Sequence, residues 1–386
     1  MQVEMTELDV EGHSRGRHEG RWVRVRGALP GEIWAFHDVA PPVRIRPSPD
    51  AVVPSCPVAA SCGGCDLAAL APARRAQALT QLVQNVLALP ALPTWHSDPR
   101  AGRARIQLHV HDGRLSYRAA GTHRPVAVVD CEIADAAIRA VLPVLGDAVA
   151  EDVADGARLE VRTNGSRVVF DLQGEGWAEP ARRRIAKLGA VSADGRAIAG
   201  EPTLDLEVAG SALRASPGAF FQVHAALNEV MVATVVAAAD DVASERALDL
   251  FAGIGNFTIP LAARGRPVHA VELAGVSVRD LKATVRRLGL AHVTVEAADA
   301  TAYDPRRQPF DFAIVDPPRA GAGNVLDRLA VQRPKRIALV NCDLSAARHD
   351  HQRLRKAGYQ PSTVHAFDLF PQTHHIEVLA IFDRGR

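Results

Sequence analysis

The stretch Asp249-Leu250-Phe251-Ala252-Gly253-Ile254-Gly255-Asn256-Phe257 ends a short apolar run on two closely spaced glycines. Residues 247–251 read as a buried strand. The glycines at 253 and 255 permit a tight turn and let the backbone approach a ligand. On the C-terminal side, short apolar runs at 267–272, 293–297, 312–316 and 336–341 alternate with helical periodicity at 276–288 and 344–357. Two last strands are expected near 363–368 and 376–382. This alternation predicts an α/β fold with a Rossmann-like, doubly wound sheet. Ligands of such sheets lie beyond the carboxyl ends of the strands.

Upstream the texture differs. Residues 158–162 and 168–172 are strand-like and flank Asn164-Gly165, a strong hairpin signal. A helical pattern spans 67–89, after a proline-rich stretch at 41–57. The first 47 residues read as short strands: Arg21-Trp22-Val23-Arg24-Val25-Arg26 alternates, and a turn follows at 27–31. Strands this short predict a small barrel. The expected division is 1–47, a small β-barrel; 48–205, a strand-rich central domain; and 206–386, the doubly wound domain.

Composition narrows the class. The chain has 386 residues, 47% of them hydrophobic, and a formal net charge of +1, so it is not a polycation coated for nucleic acid. No apolar run is long enough to span a bilayer. The start, Met1-Gln2-Val3-Glu4-Met5, lacks the features of a secretory signal. A soluble cytoplasmic monomer is the expectation.

The glycine loop is read with its neighbouring strand ends. Glu272 can hold two ribose hydroxyls, and Asp299 can accept from an adenine amine. Thr258 stands where a dinucleotide fingerprint needs its third glycine. The set therefore fits S-adenosyl-L-methionine better than NAD. In Asp316-Pro317-Pro318-Arg319 the prolines remove two donors and stiffen the chain, which can hold Asp316 over a pocket. Methyltransferases acting on base amines carry a related motif, usually with an aromatic residue where Arg319 stands.

Cys342 ends the run 337–342 on the ligand side of the sheet. A thiolate there needs a lowered pKa. Asp343 opposes that, while the following helix and Arg348 can offset it. Glu377 is an acid in an otherwise apolar strand, and burial would raise its basicity; His375 is the competing base. The other cysteines are Cys56, Cys62, Cys65 and Cys131. Four thiolates suit tetrahedral zinc or a 4Fe–4S cluster, and spacing does not choose between them.

Together these motifs resemble the RNA 5-methyluridine methyltransferase family over nearly the whole chain. Besides 249–257, Ser216-Pro217-Gly218-Ala219-Phe220-Phe221-Gln222-Val223 is similar to a family motif. The resemblance implies that Gln222, Phe251, Gly253, Gly255, Asn256, Glu272, Asp299 and Asp316 line the cofactor and base pocket. It implies Cys342 as nucleophile on uracil carbon 6 and Glu377 as the base that removes the carbon 5 proton. It favours a 4Fe–4S cluster at Cys56, Cys62, Cys65 and Cys131 over zinc. It also implies that residues 1–47 form a TRAM-type RNA-binding barrel. Arg15, Arg17, Arg21, Arg24 and Arg26 lie close together with few acids between, Arg100, Arg103 and Arg105 form a second group, and such side chains can contact phosphates. Ribosomal RNA of the large subunit is the expected partner, with tRNA second. The chain departs from the family at His224, where asparagine is common, and at Asn341-Cys342-Asp343-Leu344, where Ser-Cys-Asn-Pro is usual. A base-amine N-methyltransferase and a non-catalytic iron–sulfur RNA-binding protein are the competing readings.

Overall fold

The computed structural model describes the chain except residues 38, 39, 99, 101, 151, 308, 309 and 386 and the side chain of residue 307. An eight-stranded sheet organises the C-terminal half. In spatial order its strands are Val293–Ala297, Val268–Glu272, Ala247–Leu250, Phe312–Val315, Arg336–Asn341, Glu377–Arg384, Tyr359–Phe367 and Thr94–His96. The first five are parallel. Glu377–Arg384 runs antiparallel to both of its neighbours.

Both faces of the sheet are covered, which explains the near-continuous apolar strands. All four residues of Ala247–Leu250 and of Phe312–Val315 are buried. On one face Ile314, Ala338, Val340 and Leu379 pack against Met231, Val232 and Val235 of the helix Ala225–Asp241. On the other, Leu248, Val315, Leu339 and Phe382 meet Leu326, Leu329 and Leu354 of the helices Val325–Val331 and Leu344–Lys356. Strand order reverses between Ala247–Leu250 and Phe312–Val315. That switch point opens a crevice above the carboxyl ends, and the glycine loop 251–257 lies there.

The upstream helix begins later than its periodicity predicts. It spans Pro72–Leu87, with proline in the first turn, where a missing N–H costs no helical hydrogen bond. Residues 67–69 are turns instead and Leu70 bridges Ala51, with Leu67 and Leu70 buried. Leu79, Leu82, Val83 and Leu87 pack against Leu344, Ala347, Ala366 and Val378. Each such burial contributes about 1.5–3 kcal/mol, so this helix is bound firmly to the C-terminal sheet.

A seven-stranded sheet fills the middle of the chain, in the order Pro125–Ala127, Arg114–Arg118, Arg105–His111, Arg158–Thr163, Val168–Gln173, Ala190–Ala193 and Arg196–Ala199. Arg158–Thr163 and Val168–Gln173 pair antiparallel across Asn164-Gly165. The helices Ala136–Val149 and Glu179–Ala186 seal one face through Ile138, Leu142, Leu145 and Ile185. Arg162 ties this sheet to the segment leading to Gln222. Its guanidinium is buried, donates to the carbonyls of Ser216 and Pro202 at 2.9 and 3.3 Å, and lies 3.5 Å from Glu160. Removing either partner of such a buried pair costs about 3–5 kcal/mol.

The N-terminal residues form two three-stranded antiparallel sheets around Val3, Met5, Val25 and Ala28. No described helix is long and apolar enough to cross a membrane.

Candidate active site

The glycine loop is shaped by steric necessity at two points. Phe251 takes φ +62°, a left-handed conformation that costs a non-glycine residue about 1–3 kcal/mol and is held only where the surroundings enforce it. At Gly255, φ is +98° and an added Cβ would stand 2.5 Å from Leu281 Cδ1. Glycine alone lets the loop turn here against the helix Gly275–Arg287.

Glu272, half-buried at its strand end, accepts from the amides of Gly253 at 2.8 Å and Ala274 at 2.7 Å. It therefore fixes the glycine loop as well as facing the crevice. Asp299 is exposed and accepts from the amide and hydroxyl of Thr301, bonds that hold its carboxyl below the usual range. Asn256 is paired reciprocally with the side chain of Asn228, at 2.8 and 2.9 Å, a partner with no sequence signal. Asp249 is buried: Oδ2 accepts from the Thr258 hydroxyl at 2.5 Å, while Oδ1 is buried without a partner among the described residues. Burial is the main cause that pushes its pKa to about 7, and the Asp316 and Glu272 charges add to it.

The candidate nucleophile and base come near each other because the last strand is antiparallel. Asn341 and Val378 form the last pair of that register; Cys342 follows the one and Glu377 precedes the other, and the Glu377 charge acts on the Cys342 sulfur. Asp316 ends the neighbouring parallel strand, and Gln222 Nε2 lies 3.5 Å from its Oδ2. Asp316 is pushed up to about 7 by burial, with Gln222 acting against it. Glu377, which is buried, is raised well above the ordinary carboxylate value by burial and by the Asp316 charge, with Arg319 opposing.

Cys342 is pushed up to about 12 by burial, then by Glu377 and Asp316, with Arg319 the opposing cation. The ligand-free chain therefore holds a thiol at neutral pH. This corrects two sequence expectations. The acids acting on the sulfur are Glu377 and Asp316, whereas Asp343 caps the helix Leu344–Lys356 through the Ala346 amide at 2.8 Å. The cation is Arg319, whereas Arg348 is exposed near Asp9 and Arg15. The unusual residue after the two prolines was the available signal for Arg319. His375 is pushed down to about 4 by burial, His374 and Arg319, which leaves a neutral ring and a weak base.

Asp249, Glu272, Asp316 and Glu377 thus crowd one end of the sheet. A ligand carrying a sulfonium and an ammonium group matches this field, and the unpartnered Asp249 oxygen is an acceptor on its floor. The donor set fits S-adenosylmethionine.

All four remaining cysteines are free and partly buried. Cys62 and Cys65 each feel the charges of Cys131 and Cys56, and burial with that mutual repulsion pushes Cys65 to about 12. The Gly64 amide donates to Cys62 Sγ at 3.4 Å. Four converging thiols with no disulfide suit a cationic centre. Among the described residues no three of these sulfurs lie within 4.8 Å of one another.

Many of the arginines expected to meet RNA have partners within the chain. Arg15 pairs with Glu7, Arg24 with Glu11, Arg100 with Asp98 and Arg105 with Glu160. Arg15 and Arg17 also sit over the exposed Trp22 ring, at 4.3 and 4.4 Å.

Residues 202–384 match the family described as tRNA (Uracil-5-)-methyltransferase. The 23S rRNA (uracil(1939)-C(5))-methyltransferase RlmD of Pectobacterium atrosepticum is 32% identical over 98% of this chain and 93% of its own length. The protein of the same name from Edwardsiella ictaluri is 31% identical over 99% and 95%. Among solved structures, the Pyrococcus abyssi tRNA (uracil-54, C5)-methyltransferase in complex with S-adenosyl-L-homocysteine superposes with a TM-score of 0.79. It covers 99% of this chain and 100% of that one at 19% identity, a likeness of fold.

Proposed function

Because the chain belongs to the RNA uracil-C5-methyltransferase family, we propose that it methylates carbon 5 of a uridine in large-subunit ribosomal RNA. The observation that carries this reading is that Cys342 and Glu377 flank the last pair of an antiparallel register, Asn341 with Val378, and that the Glu377 and Asp316 charges both act on the Cys342 sulfur. S-adenosylmethionine supplies the methyl group as a sulfonium when bound. Gly253, Gly255, Phe251 and Glu272 would hold it, with Asp299 at the adenine end, Asn256 at the loop and Asp249 beneath.

Uracil carbon 5 is too poor a nucleophile to take the methyl group unaided. The Cys342 sulfur adds to carbon 6, and the electron pair moves through carbon 5 onto the carbonyl oxygen as an enolate. Gln222 and Asp316, 3.5 Å apart, would hold the ring and that oxygen. Carbon 5 then bonds to the methyl carbon as that carbon's bond to the sulfonium sulfur breaks, the electron pair staying on sulfur as a neutral thioether. Glu377 removes the carbon 5 proton, and the carbon–sulfur bond breaks to return the thiolate. The raised thiol favours attack only once a cationic ligand joins Arg319 beside it. The reacting edge must be unstacked, so the target lies in a loop or an opened helix.

Residues 1–47 are read as the TRAM-type RNA-binding element, with Arg17 and Trp22 as a stacking and phosphate-contacting pair. A 4Fe–4S cluster is read at Cys56, Cys62, Cys65 and Cys131. Zinc with Zn–S near 2.3 Å would hold its sulfurs about 3.8 Å apart; the wider spread here suits a larger core. Anaerobically purified protein should carry about four irons per chain, whereas stoichiometric zinc would reject the cluster.

The function is tested by nucleoside mapping of RNA from cells with and without the gene. Loss of one 5-methyluridine from 23S rRNA is expected. Loss from tRNA instead would move the substrate to tRNA, and an unchanged 5-methyluridine content would contradict the activity.

A further inference from the structure

The chemistry above has no redox step, yet the cysteine loop is joined to the segment that carries the base. Asp66 and Leu67 directly follow Cys65. The Leu67 amide donates to the Gln372 carbonyl at 2.9 Å. The Asp66 carboxylate accepts from the His374 amide at 3.1 Å, and its other oxygen lies 2.5 Å from the His374 ring Nδ1. These contacts fix residues 372–374, three positions ahead of Glu377.

The braced segment needs outside support. Gln372 sits at φ +65°, a conformation a non-glycine residue holds only where its neighbours enforce it. Gly12 closes the opposite side: an added Cβ there would stand 2.5 Å from the His374 ring. Arg103, whose charge reaches Cys65, lies 5.7 Å from the Phe370 ring centroid. The cysteine loop itself has no helix or strand between residues 52 and 71. Its ends are tied by the Val52 amide to the Ala69 carbonyl and the Ala71 amide to the Asp50 carbonyl, both at 2.9 Å, and the Gly63 amide donates to the Arg118 carbonyl at 2.9 Å; a centre bound at the sulfurs adds the tie that joins Cys65, next to Asp66, to Cys56, Cys62 and Cys131.

We infer that the four-cysteine centre braces the base: by fixing Asp66 and Leu67 it holds residues 372–374, and through them the position of Glu377 at carbon 5. Asp66 is then a positioning residue. The inference rests on the proposed methylation chemistry. It makes a specific kinetic demand, because proton removal follows methyl transfer. A loosened brace slows the last step and leaves methylated RNA bonded to Cys342.

The test uses full-length, iron-loaded protein carrying Asp66→Ala. Iron content, visible absorbance and S-adenosylmethionine binding should match wild type, with KM for RNA within about twofold. The kcat value should fall about tenfold to a hundredfold, the scale of an ångström-sized misplacement, while the RNA-linked fraction seen on denaturing gels rises severalfold. Asp66→Asn, which keeps an acceptor for the His374 amide, should recover part of the rate. Should Asp66→Ala lose its iron, His374→Ala breaks the same contact from the far side and should accumulate the same adduct. Wild-type turnover with no added adduct in the iron-replete variant would overturn the brace. Failure of wild-type protein to form 5-methyluridine would instead overturn the underlying chemistry.

Discussion

Cys342→Ala should abolish methyl transfer to RNA, by at least about 10⁴-fold, the scale seen when a covalent nucleophile is removed. Binding of S-adenosylmethionine, read by calorimetry, should persist. The reason lies in the division of the site. The cofactor's loop is held by Glu272, Gly253 and Gly255 at the strand ends Ala247–Leu250 and Val268–Glu272. Cys342 directly follows Arg336–Asn341, two strands from Ala247–Leu250 and three from Val268–Glu272, so its loss leaves that loop untouched. Without the sulfur, carbon 5 has no means of gaining electron density. Serine at 342 should not restore turnover, because an alkoxide is far less accessible at neutral pH than a thiolate. Retained methylation would instead favour an enzyme acting on a base amine, which needs no cysteine.

Glu377→Gln should fail differently. The isosteric amide keeps the shape of the site but cannot take the carbon 5 proton. Turnover should fall about 10²–10⁴-fold, the usual worth of a general base. Methyl transfer should still occur once per chain, leaving methylated RNA bonded to Cys342 and visible as a slow band on a denaturing gel. Should His375 be the base, this variant would turn over and a His375 variant would trap RNA. The depressed basicity of the buried His375 ring argues for Glu377.

Stability supplies an independent check on the same variant. The folded-state pKa of Glu377 is raised, so the folded chain binds that proton more tightly than the unfolded chain. Ionisation at pH above the unfolded value therefore opposes folding. Gln removes that burden, and the variant's Tm at pH 7.5 should not lie below wild type.

The sheet was legible in the sequence because its buried parallel strands are short continuous apolar runs between helical stretches. Arg336–Asn341 falls where the pattern puts it. The hairpin at Asn164-Gly165 was equally plain, since its turn chemistry is local. The edge strand Thr94–His96 left no such trace: it has three residues, none fully buried, and it pairs with Tyr359–Phe367 across more than 250 positions.

The site shows the same division. Glu272 and Asp316 could be placed at strand ends from the apolar runs before them, and Glu377 at the start of the last strand from the apolar run after it. What each acid meets could not, because the pairing of Glu377 with Cys342 depends on the direction of the last strand. Arg348, six residues from Cys342 in sequence, turned outward along its helix, while Arg319 arrived from the neighbouring strand. Asp66 and His374 are 308 positions apart, and no periodicity or spacing reports a contact of that kind.

The mechanism rests on one sulfur bonding transiently to the pyrimidine ring. RNA carrying 5-fluorouridine tests it most directly, since fluorine at carbon 5 cannot leave as a proton does and the adduct is caught after methyl transfer. Mass spectrometry of the digested complex should find methylated fluorouridine on the peptide containing Cys342. A turning-over enzyme that yields no adduct, or one linked through another residue, would contradict it.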